Sequence, residues 1–149
     1  MGLNETLIKI YDRDISKLRE EVEAYGDEPD LWKKQGEMPN SGGTLALHLC
    51  GNLRHFIGAI LGNSGYVRDR DAEFAMRNVP RGELLAAIDE TREVVSATLA
   101  RLTPDDFART YPIEALGYPM TTEYFLVHLA GHLSYHLGQI NYHRRSMGS

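Results

Sequence analysis

The sequence predicts an all-α chain folded as a four-helix bundle with long connections. Apolar residues recur at steps of three and four through four long segments. No segment alternates with the period of a strand, and Gly, Pro and charge-rich stretches separate the four. At 149 residues the chain is long enough for one sizeable core and short for two, so residues 1–149 are expected to form a single domain.

Residues 3–25 form the first helix, with Leu7, Tyr11, Ile15, Leu18, Val22 and Tyr25 on its apolar face and mixed charges elsewhere. Residues 26–40 are irregular, punctuated by Pro29 and Pro39 and anchored by Leu31 and Trp32. Ser41 or Thr44 caps a second helix that ends near Gly62. Between 62 and 79 lies a dense charged segment, Arg68-Asp69-Arg70-Asp71-Ala72-Glu73-Phe74. It reads either as a salt-bridged cap over one bundle end or as a rim that binds an anionic group. Pro80 suits the first position of a third helix running to about Leu102 through Leu84, Ile88, Val95 and Leu99. Thr103-Pro104-Asp105-Asp106 suits a turn or a short helix start. Residues 107–118 lack a helical period and are expected to form a small extended lobe, with Tyr111, Tyr118 and Trp32 as candidates for a pocket mouth. The last helix runs from about Thr121 to Arg145. The long connections leave the topology open, and sequence neighbours need not be antiparallel.

Charge and composition narrow the function. Sixteen basic against 21 acidic side chains give a net charge of -5, which argues against a general nucleic-acid-binding surface. No run of about 18 apolar residues exists to span a membrane. The N-terminus lacks a signal-peptide pattern, and the lone Cys50 fits a reducing compartment. A cytoplasmic location is the expectation, with neither nucleic acid nor membrane as partner.

The chemistry is concentrated in the last helix. His128, His132, His136, Gln139 and His143 follow steps of four, four, three and four, which places them on one face. His132 and His136 are about 6 Å apart along the axis, close enough to share one ion. On a helical projection they occupy the middle of the packed face, with Leu126, Leu129, Leu133, Leu137 and Ile140 on one flank and Tyr124, Tyr135 and Tyr142 on the other. The second helix repeats the pattern: His48, Asn52 and His55 share a direction, and Gly51 and Gly58 leave room on one side for a close approach. A single histidine on a helix is more often structural than ligating. Two helices that each aim histidines inward favour a shared metal, with His48 as the third ligand.

Imidazoles suit zinc or nickel, and iron is also compatible. Three ligands leave a position open for water or substrate. Asn52 and Gln139 are candidates to orient an imidazole or a bound water. His128 and His143 read equally as substrate contacts or as plain hydrogen-bonding groups, and His55 lies about 10 Å from His48, too far to share its ion. Leu133-Ser134-Tyr135 between the paired histidines offers no adjacent Glu, which disfavours metallopeptidase chemistry.

Three stretches carry a family likeness: Asn40 to Leu53, Arg68 to Phe74, and His128-Leu129-Ala130-Gly131-His132-Leu133-Ser134-Tyr135-His136-Leu137-Gly138-Gln139-Ile140. Through them nearly the whole chain resembles the DinB-like superfamily, which includes the bacillithiol transferases, and within it an uncharacterised bacterial branch. The resemblance implies a four-helix bundle, a divalent metal on His48, His132 and His136, and a homodimer. It also implies transfer of a low-molecular-weight thiol to an electrophile, or isomerisation of a maleyl-type thiol adduct. Where the family often has Arg after the last ligand this chain has Leu137, so the resemblance carries no anion contact there.

Three functions stay open at this level. A thiol transferase needs an open thiol-sized position at the ion. A hydrolase needs a general base such as His128, and a non-catalytic metal-binding bundle would close the site with a fourth ligand.

Overall fold

The computed structural model describes residues 1–149 and contains six α-helices: α1 (Leu3–Ala24), α2 (Gly42–Leu53), α3 (Arg70–Ala75), α4 (Arg81–Ala100), α5 (Pro104–Ala108) and α6 (Thr122–Ser146). The four long ones are the four expected. Local chemistry sets their starts. Ser41 Oγ accepts from Thr44 N–H, Thr121 caps α6 through Tyr124 N–H, and Thr103 and Asp106 form a reciprocal capping box on α5. Pro80 is the residue before α4 rather than its first turn. The irregular stretch after α1 holds one 3-10 turn, Glu28–Trp32, and the expected extended lobe reduces to a single antiparallel bridge between Thr110 and Thr121.

Cross-helix contacts define the topology. Tyr11 donates to the Leu126 carbonyl and Tyr25 to His143, so α1 and α6 run parallel. Arg19 pairs with Asp89 and Arg92 with Asp12, so α1 and α4 are antiparallel. Gly42 meets His143 while His48 meets His132, so α2 and α6 are antiparallel. Arg54 pairs with Glu90, and Gly58 and Gly62 lie against Val94 and Thr98, so the second and fourth helices run parallel. Around the bundle the order is α1, α4, α2, α6, with α1 and α2 across the diagonal. Long connections are what such an order demands.

The core joins Leu7, Ile15, Leu18 and Val22 of α1 to Leu49 and Leu53 of α2, Leu84, Ile88 and Leu99 of α4, and Leu126, Leu129, Leu133 and Ile140 of α6. Burial of each such side chain contributes about 1.5–3 kcal/mol. Trp32 packs over Gly43, where a Cβ would meet its ring, and Tyr111 is buried; neither lines a pocket mouth. Tyr118 is exposed and paired with Tyr124.

After Leu53 the second helix continues as one π-helical turn, Arg54–Ala59, in which Ile60 N–H reaches the His55 carbonyl and Gly62 N–H the Ile57 carbonyl. The widened turn leaves the Phe56 carbonyl to the Tyr111 hydroxyl, which donates to it at 2.5 Å. That bond, with Phe125 edge-on to Phe56 and tilted against Tyr111, holds the loop before α6 over the end of α2.

Candidate metal centre

The site is built where α2 and α6 face each other. His48 and Asn52 stand one turn apart on α2, and His132 and His136 one turn apart on α6. His132 Nε2 lies 3.3 Å from His48 Nε2 and 3.1 Å from His136 Nε2, and one nitrogen of each ring falls within 4.8 Å of the others. The sequence reading of these three as a constellation is what the fold brings together.

The far nitrogens fix the tautomers. His136 Nδ1 is 2.7 Å from Gln139 Oε1, an acceptor, so Nδ1 carries the proton and the Nε2 lone pair points inward. His48 Nδ1 is 3.2 Å from Glu73 Oε1 and is held the same way. Two lone pairs therefore aim at the His132 Nε2, which has at most one proton to offer. His132 Nδ1 is buried without a partner. Nitrogens about 2.1 Å from one zinc-like ion sit about 3.0–3.4 Å apart along the edges of its coordination polyhedron. The two measured edges fall in that range, so the donor set fits a divalent ion. Burial, reinforced by the cationic potential of His136, His48, His128 and Arg68, lowers the His132 pKa to about 4. Burial also lowers that of His136, so these imidazoles are neutral at pH 7 and competent as ligands.

Glu73 is the functional group that sequence reasoning missed. Asp69 accepts from Ala72 N–H and starts α3, which turns Glu73 toward α2. Its carboxylate takes two hydrogen bonds from Arg68, at 2.9 and 3.0 Å, besides the one from His48. Burial alone would raise this carboxyl, but the hydrogen bonds from His48 and Arg68 outweigh it and hold the pKa below the usual value. Gly51 makes the contact sterically feasible, because a Cβ there would overlap the Glu73 carboxylate. The charged segment is thus a salt bridge, as one reading expected, but it braces a histidine of the site rather than capping a bundle end.

The other candidates divide clearly. Gln139 holds His136. Asn52 bonds none of the imidazoles; it is 6% exposed and its Oδ1 is buried without a partner. His128 stacks on Phe125, is exposed, and stands apart from the three-histidine cluster. His143 is a core residue: its Nε2 donates to the Lys33 carbonyl while Nδ1 accepts from Tyr25 and Gly42 N–H. It needs no ligand. His55 packs on Phe56 in the π-helical turn, outside the cluster. Cys50 is buried away from the site and burial raises its thiol to about 11, which makes it inert.

One expectation is corrected. The histidine stripe of α6 is not central to a packed face. Leu126, Leu129 and Leu133 are buried, but Tyr124, Tyr135 and Tyr142 are 52–74% exposed, so the stripe lies at the boundary between core and solvent. The boundary position opens the site: a cavity of about 610 Å³ lies over the three imidazoles, a size suited to a small molecule. Asn52 and His128 are on its wall, and no Asp or Glu lines it.

The sequence matches the DinB superfamily over residues 10–140. No curated protein matches it significantly. Among solved structures it is similar to YfiT from Bacillus subtilis, described as a probable metal-dependent hydrolase with an unusual four-helix bundle topology. The two share 19% identity and superpose with a TM-score of 0.76 over 99% of this chain and 90% of that one. No helix of this chain is long and apolar enough to cross a membrane.

Proposed function

This chain belongs to the DinB superfamily, and on that premise we propose that it is a divalent-metal-dependent enzyme with His48, His132 and His136 as ligands. The observation that carries the proposal is the convergence of three imidazole nitrogens, two with tautomers fixed from behind, at the floor of an open cavity. Zinc or nickel suits three imidazoles, and iron is also compatible. When bound, such an ion supplies a nucleophile near neutral pH by lowering the pKa of a coordinated water or thiol.

The protein's own part is to hold the ligands and shape the cavity. Glu73 and Gln139 keep His48 and His136 aimed, and no fourth His, Cys, Asp or Glu closes the cluster, which argues against a purely structural site. The reaction we favour is transfer of a low-molecular-weight thiol to an electrophilic carbon. The cavity wall has no carboxylate to serve as general base, and a thiol, far more acidic than water, would lose its proton to solvent beside a bound cation more readily than water would. Hydrolysis is the second reading, favoured by His128 on the same wall as a proton acceptor and by the likeness to YfiT.

The test is a paired assay on zinc- and nickel-loaded protein, with His132→Ala as background. One arm follows conjugation of cysteine to an electrophilic fluorophore, and the other follows hydrolysis of a nitrophenyl ester. Conjugation lost in the variant is expected. Ester turnover alone replaces thiol transfer with hydrolysis, and no turnover above background in either arm overturns both. A homodimer and a cytoplasmic location remain part of the proposal. From Tyr124 to His143 the outward face of α6 carries no charged Asp, Glu, Lys or Arg, consistent with pairing to a second copy. Light scattering giving a single mass near 17 kDa refutes the dimer.

A further inference from the structure

We propose that the cavity over the three imidazoles takes a small carboxylate-bearing molecule whose anionic end is received by Arg70. The proposal rests on the metal-centre reading only in placing the reacting end of that molecule at the imidazoles.

Three observations carry it. In a chain of net charge -5, the cavity is lined by two arginines and four histidines and by no acidic residue. Electrostatic focusing in such a cleft favours an anion. The two arginines are not equivalent. Arg68 is committed to Glu73 through two hydrogen bonds, whereas Arg70 makes neither an ion pair nor a hydrogen bond. Instead its guanidinium lies over the Phe74 ring at 5.0 Å, and Phe74 in turn packs on His48 with ring centroids 4.9 Å apart. The stacking leaves the planar edge of Arg70 available for a carboxylate, which it matches with two parallel hydrogen bonds.

The third observation is Asn52. It is buried, lines the same cavity one turn from His48, and no protein group answers its Oδ1. Buried polar atoms are usually paired, so an unanswered acceptor on a cavity wall is a place for a donor from the occupant. A hydroxyl, amine or amide N–H of the bound molecule supplies the missing donor. Between these polar points the wall is apolar, formed by Phe56, Phe74, Leu116 and Phe125. The occupant is therefore an organic acid with a short apolar body, not a simple inorganic anion.

Calorimetric titration with 3-phenylpropanoate and its neutral amide tests this, on metal-free and zinc-loaded protein. The pair share one apolar body and differ in what they offer Arg70, a charged carboxylate with two acceptor oxygens against a neutral amide with one. We expect the wild type to bind the acid at least tenfold more tightly than the amide in both forms. Arg70→Gln brings the two within twofold, while the neighbouring Asp71→Asn keeps the preference. Equal binding in the wild type overturns the proposal, as does binding of neither probe at millimolar concentration. A preference that survives Arg70→Gln also overturns it, because the acid is then held elsewhere. Zinc binding is measured separately, so a protein that takes no zinc refutes the metal centre while the metal-free titration still decides the role of Arg70.

Discussion

Replacing Glu73 perturbs the site without touching a proposed ligand. In the wild type the carboxylate accepts the His48 Nδ1 proton at 3.2 Å and neutralises Arg68 at 2.9 and 3.0 Å, with side chains only 7% and 11% exposed. Glu73→Gln keeps an acceptor for His48 but removes the charge. Loss of such an orienting group typically costs 10–100-fold in metal affinity, and Gln belongs at the lower end, about tenfold or ~1.4 kcal/mol. Glu73→Ala does more. Arg68 Nη2 already lies 3.4 Å from His48 Nδ1, so without the carboxylate it becomes the donor at that nitrogen. The proton then shifts to Nε2, and His48 no longer presents a lone pair to the site. About 100-fold, or ~2.7 kcal/mol, is expected for Ala. Part of it returns in the Glu73→Ala, Arg68→Ala double variant, because the competing donor has gone. The assay is competition for zinc against a chromophoric chelator, with far-ultraviolet circular dichroism confirming the helices. Zinc affinity within twofold of wild type for Glu73→Ala refutes the reasoning, and so does a double variant weaker than Glu73→Ala.

Three further outcomes follow from the same structure. Gly51→Ala drives the Glu73 carboxylate out of its seat, so its zinc affinity falls about tenfold with little loss of helix; unchanged affinity in the chelator assay counts against the role given to Gly51. Asn52→Leu replaces an orphaned buried amide by an apolar side chain of similar size and is expected to stabilise the fold by about 1 kcal/mol, read as a rise in Tm of about 3 °C; a fall in Tm of that size means the amide has a structural partner. Glu21 sits between α1 and α6. Burial raises its carboxyl, but hydrogen bonds from Arg144 and Asn141 outweigh that and leave its pKa below the ordinary value. A depressed folded pKa gives stability that is present above the unfolded value of about 4.3 and lost as pH falls through the folded one. The Tm gap between wild type and Glu21→Gln therefore narrows as pH drops from 6 to 3, and a gap independent of pH contradicts the assignment.

The sequence reveals the long helices because each buries a stripe that repeats at three and four residues, and Ser41 and Thr121 cap the starts of two of them. It also points to His48, His132 and His136 as candidates, because the paired histidines one turn apart on one helix and the histidine on another could meet at one ion. The arrangement of the helices is not legible in the same way. Connection length permits α1 and α2 to lie across the diagonal but does not require it, and the π-helical turn at Arg54–Ala59 gives its Phe56 carbonyl to Tyr111, a partner remote in sequence. Glu73 is hidden for a different reason. Among the alternating charges of residues 68–73 it looks like one more solvated carboxylate, and only a close approach over α2 distinguishes it. Gly51 is the available signal: it is a place on α2 where a neighbour can come near, and the neighbour is that carboxylate. His143 shares the α6 stripe with the proposed ligands, and periodicity alone could not separate it from them. Its three hydrogen-bonding partners come from Tyr25, Lys33 and Gly42, which are remote in sequence.

The most direct test of the metal centre is elemental analysis of untagged protein after incubation with zinc or nickel and desalting. Wild type, His48→Ala, His132→Ala and His128→Ala are compared at equal helicity. About one equivalent of metal in wild type and His128→Ala, and none in the other two, is the result predicted by three converging imidazoles. A wild type that retains no metal, or a His48→Ala or His132→Ala variant that retains it fully, contradicts the centre built on His48, His132 and His136.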